Sequence, residues 1–190
     1  MASKVEITFN LPSLAAAVSM MHDEFFTRYT KDDYRSRDVI GMCYDNASGE
    51  LRALNCALHV RRTGRINVAN LIYGCVGDDG VFFGQQWTSR FTDVFTVMER
   101  LRERGAPELT LTAPLEPIET FRYSRSAAIL YMPEPARVEL SFCNGDGKTW
   151  LTLELLYGAT SELLRFADEL RLVYGDVINT YKSANEKSSE

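Results

Sequence analysis

The chain has 190 residues, of which 45% are hydrophobic and 25% charged, with a formal net charge of -5. That length and apolar content suit one globular domain with a real core. The acidic balance speaks against a nucleic-acid polymer or an anionic membrane as partner, and no apolar run approaches the roughly 20 residues of a membrane span.

Residues 4–10 alternate cleanly: Val5, Ile7 and Phe9 form one face, and Lys4, Glu6, Thr8 and Asn10 the other, as in a half-buried strand. Leu11-Pro12-Ser13 then opens a helix that should run to about Phe26. Residues 27–38 are polar and read as a loop. Strands are expected near 38–45, 56–62, 66–74 and 81–88, with turns at Gly64 and at 77–80. Phe91, Val94, Phe95, Met98 and Leu101 recur at helical spacing, and Gly105 and Pro107 end that helix. Further strands are expected near 118–130, 136–143 and 149–157. A third helix spans about 161–174, with Thr160 as its cap, Leu163, Ala167, Leu170 and Tyr174 as its stripe, and Gly175 as its stop. The tail from about 183 is polar and expected to be flexible. No linker or repeat divides the chain, so residues 1–190 read as a single domain.

The four cysteines (Cys43, Cys56, Cys75 and Cys143) show no paired spacing, and the N-terminus lacks the layout of a signal peptide. A cytoplasmic protein with free thiols is the expectation.

Strand parity sorts the polar residues. His59 and Arg61 point one way, Leu58 and Val60 the other. Leu151, Leu153 and Leu155 oppose Trp150, Thr152 and Glu154; Val138, Leu140 and Phe142 oppose Glu139 and Ser141. In 120–127, Phe121, Tyr123 and Ala127 oppose Thr120, Arg122, Ser124 and Ser126, with Arg125 breaking the apolar set. Helices offer matching apolar stripes, so the apolar faces should be helix-packed. The polar faces could be wetted by solvent on an open sheet. About eight strands can also curl and close, which would enclose them. Trp87 goes by parity with Val81 and Phe83 as core. Trp150 is the better candidate to stack on a ring.

These segments resemble the CYTH superfamily of triphosphate tunnel enzymes over roughly residues 4–187. Val5-Glu6-Ile7-Thr8-Phe9-Asn10 stands at the family's opening ExExK strand. Tyr44-Asp45, then Leu51, Leu54 and Ala57-Leu58-His59-Val60-Arg61-Arg62, is similar to its YDT…L…ALRVRR segment. Phe121-Arg122-Tyr123 sits at the KxR strand, and the glutamates of Val138-Glu139-Leu140 and Leu153-Glu154-Leu155 at later acidic strands. The final helix and Tyr181-Lys182-Ser183 resemble the closing helix and Ser-Lys segment. The resemblance implies an α+β fold: a closed or nearly closed antiparallel β-barrel of about eight strands, with helices packed outside. It implies basic side chains that grip a triphosphate and carboxylates that hold one or two divalent metals.

The pattern is degenerate. ExExK has become Glu6, Thr8 and Asn10; the first arginine of RVR is His59; the lysine of KxR is Thr120. Gln86 and Thr88 lie in the segment that has lost an arginine and two carboxylates, and Thr152 replaces a glutamate. Glu6, Glu154 and Glu139 are the candidate ligands for Mg²⁺ or Mn²⁺, and their neutral neighbours cannot balance a dication. The resemblance places His59, Arg61, Arg122 and Lys182 on phosphate. Thr8, Asn10, Gln86, Thr88, Ser124, Ser126, Thr152 and Trp150 form the expected polar lining. The expected function is binding of a phosphorylated small molecule (a nucleotide, a cyclic or linked nucleotide, or a polyphosphate) without efficient hydrolysis. The alternatives are an active divalent-metal-dependent triphosphatase and a non-enzymatic structural or protein-binding module on the same scaffold.

Overall fold

The computed structural model describes residues 2–63, 66–77, 80–91, 96–133 and 135–180. Among these described residues, nine strands and five helices follow in order: β1 (Ala2–Leu11), α1 (Leu14–Met21), α2 (Glu24–Thr27), β2 (Arg35–Asp45), α3 (Glu50–Ala53), β3 (Cys56–Thr63), β4 (Ile66–Val76), β5 (Val81–Phe91), α4 (Val97–Arg102), β6 (Glu116–Tyr131), β7 (Arg137–Gly145), β8 (Lys148–Tyr157), α5 (Thr160–Tyr174) and β9 (Asn179–Thr180). The sheet order is β5-β4-β3-β2-β6-β7-β8-β1-β9, and β5 also pairs with β1. Eight antiparallel strands, β1 to β8, thus close into a ring, as the strand count and resemblance imply.

The chain divides into two compact units. The first holds 1–3, 38–75 and 83–123; the second holds 4–37, 76–82 and 124–190. Each has its own core. In the first, Leu58, Val60, Ala69, Leu71 and Trp87 pack with Leu51 of α3 and Val97 and Leu101 of α4. In the second, Ile7, Phe9, Leu140, Leu151 and Leu153 pack with Ala17, Met20, Phe25 and Phe26 of α1 and α2, and with Leu163, Phe166, Ala167 and Leu170 of α5. Strand alternation makes both arrangements: one face meets the helices and the other is left polar.

Several local expectations need correction. The first helix is broken at His22, because Asp23 turns back to accept from the Phe25 N–H and caps a second short helix. The N-cap of α5 is Ala159, not Thr160, and no side chain caps it. The second expected helix starts late, because β5 runs on to Phe91 and α4 begins at Val97. Its expected stripe residues Val94 and Phe95 lie outside the described residues, as do Gly64 and the segment from Tyr181 onward that contains Lys182. Phe83, expected beside Val81 and Trp87 in the core, is 42% exposed.

Candidate functional site

In the first unit, β3 presents His59 and Arg61 on its polar face. Their register partners are Cys43 and Gly41 on β2, and Asn70 and Val68 on β4. Phe121 of β6 lies on this face too: its ring meets His59 edge-on at 6.0 Å between centroids, and it stacks on Tyr123. A Cβ at Gly41 would collide with the Phe121 ring and come within 2.7 Å of the Val60 carbonyl oxygen, so this approach needs glycine. Beside His59, the buried Asn70 carboxamide oxygen accepts from Gln86 Nε2 at 3.0 Å and from Thr88 Oγ1 at 2.8 Å. Gln86 and Thr88 therefore share one hydrogen-bonded cluster with Asn70. Among the described residues no carboxylate pairs with Arg61.

Arg122 does not join them. Phe121 and Tyr123 occupy the face of His59, so alternation sends Arg122 to the opposite face, where it is exposed.

In the second unit, the polar faces of β1, β8 and β7 form ordered cross-strand rows. Glu6 lies opposite Glu154, which lies opposite Glu139. Thr8 lies opposite Thr152, which lies opposite Ser141, and the two threonine hydroxyls are 3.4 Å apart. Asn10 lies opposite Trp150, which lies opposite Cys143. The register thus gathers three expected carboxylates and four expected lining residues on one face.

These carboxylates are already matched. Lys4, two residues before Glu6 on the same strand face, places its ammonium 2.7 Å from Glu6 and 2.9 Å from Glu154, with its side chain only 10% exposed. Burial pulls the Lys4 ammonium toward neutrality, but the two carboxylates outweigh it and hold its pKa above the ordinary lysine value. Glu139 pairs with Arg125. Mg²⁺ and Mn²⁺ need oxygen ligands whose charge is free to balance the ion. Two glutamates bridged by an ammonium, with a third held by a guanidinium, do not fit such an ion. Among the described residues no group of three or more His, Cys, Asp or Glu side chains could hold a metal.

Arg125 also corrects the reading of β6. It faces Glu139, together with Ala127 and Ile129, so these residues share the polar face of the second unit. Ser124 and Ser126 point the other way, with the buried Leu130. Ser126 bonds Ser36 at 2.7 Å, and Ser124 donates to the Asn144 carbonyl at 3.3 Å. Behind Arg125, the Cys143 thiol is pushed up to about 12, first by burial; Arg125 and Arg37 oppose the shift, while Glu6 and Glu139 add to it.

Described residues of this unit line two cavities of note. One, of about 400 Å³, is lined by Glu6, Thr8, Asn10, Phe82, Lys148 and Trp150, among others. The other, of about 410 Å³, is lined by Asp32, Asp33, Arg35, Arg37, Arg125 and Glu139, among others. Sequence reasoning had placed Lys4 on the polar face without giving it a role. The sequence pattern gives no role to Arg37 or Asn70, and marks Arg125 only as an exception. The break that Arg125 made in an apolar set was the available signal for the true facing of β6.

No protein-family model and no curated protein matches this sequence. Solved structures do. HpAC1 from Hippeastrum, a candidate adenylyl cyclase described as having a dominant triphosphatase activity, is 14% identical with a TM-score of 0.67, over 95% of this chain and 92% of that one. A candidate adenylate cyclase from Bacillus halodurans is 15% identical with a TM-score of 0.58, over 100% of both chains. The PH1819 protein of Pyrococcus horikoshii is 12% identical with a TM-score of 0.55, over 95% of both. The chain has the CYTH, or triphosphate-tunnel, fold.

Proposed function

We propose that this chain binds a phosphorylated small molecule, a nucleotide or a polyphosphate, without efficient metal-dependent hydrolysis. One observation carries the reading: the Lys4 ammonium lies against both Glu6 and Glu154. Cleavage of a triphosphate rests chiefly on metal and charge stabilisation with a positioned water. Here a tethered cation occupies the space between the carboxylates, and a dication would have to displace it.

The capacity for phosphate is better kept. Arg61 is half-buried, has no carboxylate partner among the described residues, and lies two residues from His59 on one strand face. A guanidinium in that setting recognises phosphate bidentately. The triphosphatase activity described for HpAC1 puts phosphorylated molecules among the ligands of this fold.

A metal-dependent triphosphatase is the second reading, favoured by the direct cross-strand alignment of Glu6, Glu154 and Glu139. Thermal shift with ATP, AMP and tripolyphosphate, each with Mn²⁺ and with EDTA, alongside an assay of phosphate release, separates the two. The expected result is stabilisation that survives EDTA, weakened about tenfold or more by Arg61→Ala, with no phosphate release. Release that requires Mn²⁺ and disappears in Glu6→Gln would establish the hydrolase instead. Absence of any stabilisation would leave a structural or protein-binding scaffold.

A further inference from the structure

The cavity of about 400 Å³ in the second unit has a chemistry that phosphate alone does not explain. Its Trp150 and Phe82 are aromatic. Asn10, Thr8 and Glu6 offer polar groups from a single strand face, and Lys148 is exposed at its edge. An inorganic polyphosphate wants a cation-rich lining, whereas among the described residues this lining includes one basic residue and two aromatic ones. A flat heteroaromatic ring wants the opposite: a π-face to lie on, and hydrogen-bonding groups around its edge.

We propose that this cavity is a nucleobase subsite, in which the base stacks on Trp150 and its edge is read by Asn10 and Thr8. This rests on the reading that the chain binds a phosphorylated small molecule, and narrows it to nucleotides. Asn10 supplies both an N–H donor and a carbonyl acceptor, the pair that meets a base edge bidentately. Thr8 Oγ1 is 3.4 Å from Thr152 Oγ1 and, as a hydroxyl, can both donate and accept. Register fixes the arrangement: Asn10 and Trp150 are direct cross-strand partners, so the amide and the indole stand side by side. Lys148 precedes Trp150 by two residues on β8, and its ammonium can follow a phosphate that leaves the base.

The test titrates wild type, Trp150→Ala and Trp150→Phe with each of the four nucleoside triphosphates and with inorganic tripolyphosphate. The expected result is that Trp150→Ala loses about tenfold or more in affinity for at least one nucleotide. Trp150→Phe should retain most of that affinity, and tripolyphosphate binding should be unchanged across all three proteins. In wild type the same nucleotide should also quench tryptophan emission. Trp87, the one other tryptophan, is only 3% exposed, so a contact quench reports Trp150. Equal loss of nucleotide and tripolyphosphate in Trp150→Ala, or unchanged nucleotide affinity without quenching, would overturn the subsite while leaving phosphate binding intact. Failure of wild type to bind any probe would overturn both. Unfolding of Trp150→Ala is covered by the wild-type quench, which needs no substitution.

Discussion

Lys4 is the residue on which the chemistry of the second unit turns. Removing its ammonium by Lys4→Met leaves Glu6 and Glu154 as like charges directly opposite one another on paired strands. Breaking a fully buried pair costs several kcal/mol. The two glutamates keep 26% and 29% of their side-chain surface exposed, so solvent screening reduces the expected cost to about 1–2 kcal/mol. Mn²⁺ should raise the melting temperature of the variant and leave that of wild type unchanged; equal response of both would refute the role given to Lys4. The pH dependence follows from the sign of the shift. The folded state raises the Lys4 pKa, so its contribution is complete below the unfolded value of about 10.4 and is lost as pH climbs through the folded value. The stability gap between wild type and Lys4→Met should therefore stay constant through the neutral range and close only in strong alkali, as read by chemical denaturation at stepped pH. The thiols give an independent check. Cys143 is buried with its pKa raised to about 12, while Cys75 is exposed. Iodoacetamide at mildly alkaline pH should label Cys75 and leave Cys143 unmodified until the protein unfolds, as peptide mass spectrometry would read.

At the scale of elements, α3 shows how a four-residue helix survives. So short a helix cannot nucleate on propensity. Asp45, only 4% exposed, accepts from the backbone N–H groups of Asn46 at 2.8 Å, Leu51 at 2.9 Å and Arg52 at 3.2 Å. Asn46 adds one bond from the Glu50 N–H at 3.1 Å. Asp45→Ala should cost about 2–4 kcal/mol, and Asn46→Ala less, in urea melts. Tyr44-Asp45 was visible in the sequence as part of a resemblance, but the cap was not, because its partners lie up to seven residues on. Strands β1, β3, β7 and β8 were legible because each alternates strictly over a short run. β6 was not. It is 16 residues long, and polar residues stand at both parities between 119 and 126. Parity reading then chose the face by majority and set Arg122, Ser124 and Ser126 inward. The register with β7 and the Arg125–Glu139 pair put the opposite set there. One step of parity moves every side chain of a strand to the other face, which is why a single wrong choice displaced three candidate residues at once.

For the molecule as a whole, the order and spacing of strand blocks revealed the fold, although the motif residues themselves are largely replaced. A ring of strands depends on where apolar residues recur, and here they recur at the period that builds both cores; a metal site depends on a few charges, and here those charges are paired within the chain. This separation sets the expected response to ligand. A ligand that binds only the folded chain at a hundredfold excess over its Kd stabilises it by about 2.7 kcal/mol. For a domain of this size that raises the melting temperature by about 5–10 °C. Nucleotide should produce a shift of that order, and EDTA should not diminish it, since Lys4 supplies charge balance from within the chain. The shift should also survive a moderate rise in salt. The chain carries a net charge of -5, whose long-range repulsion of an anion is screened first, while contact with the half-buried Arg61 is screened much less. A shift that appears only with Mn²⁺, and strengthens as metal is added, would mean that the cation enters between Glu6 and Glu154 after all.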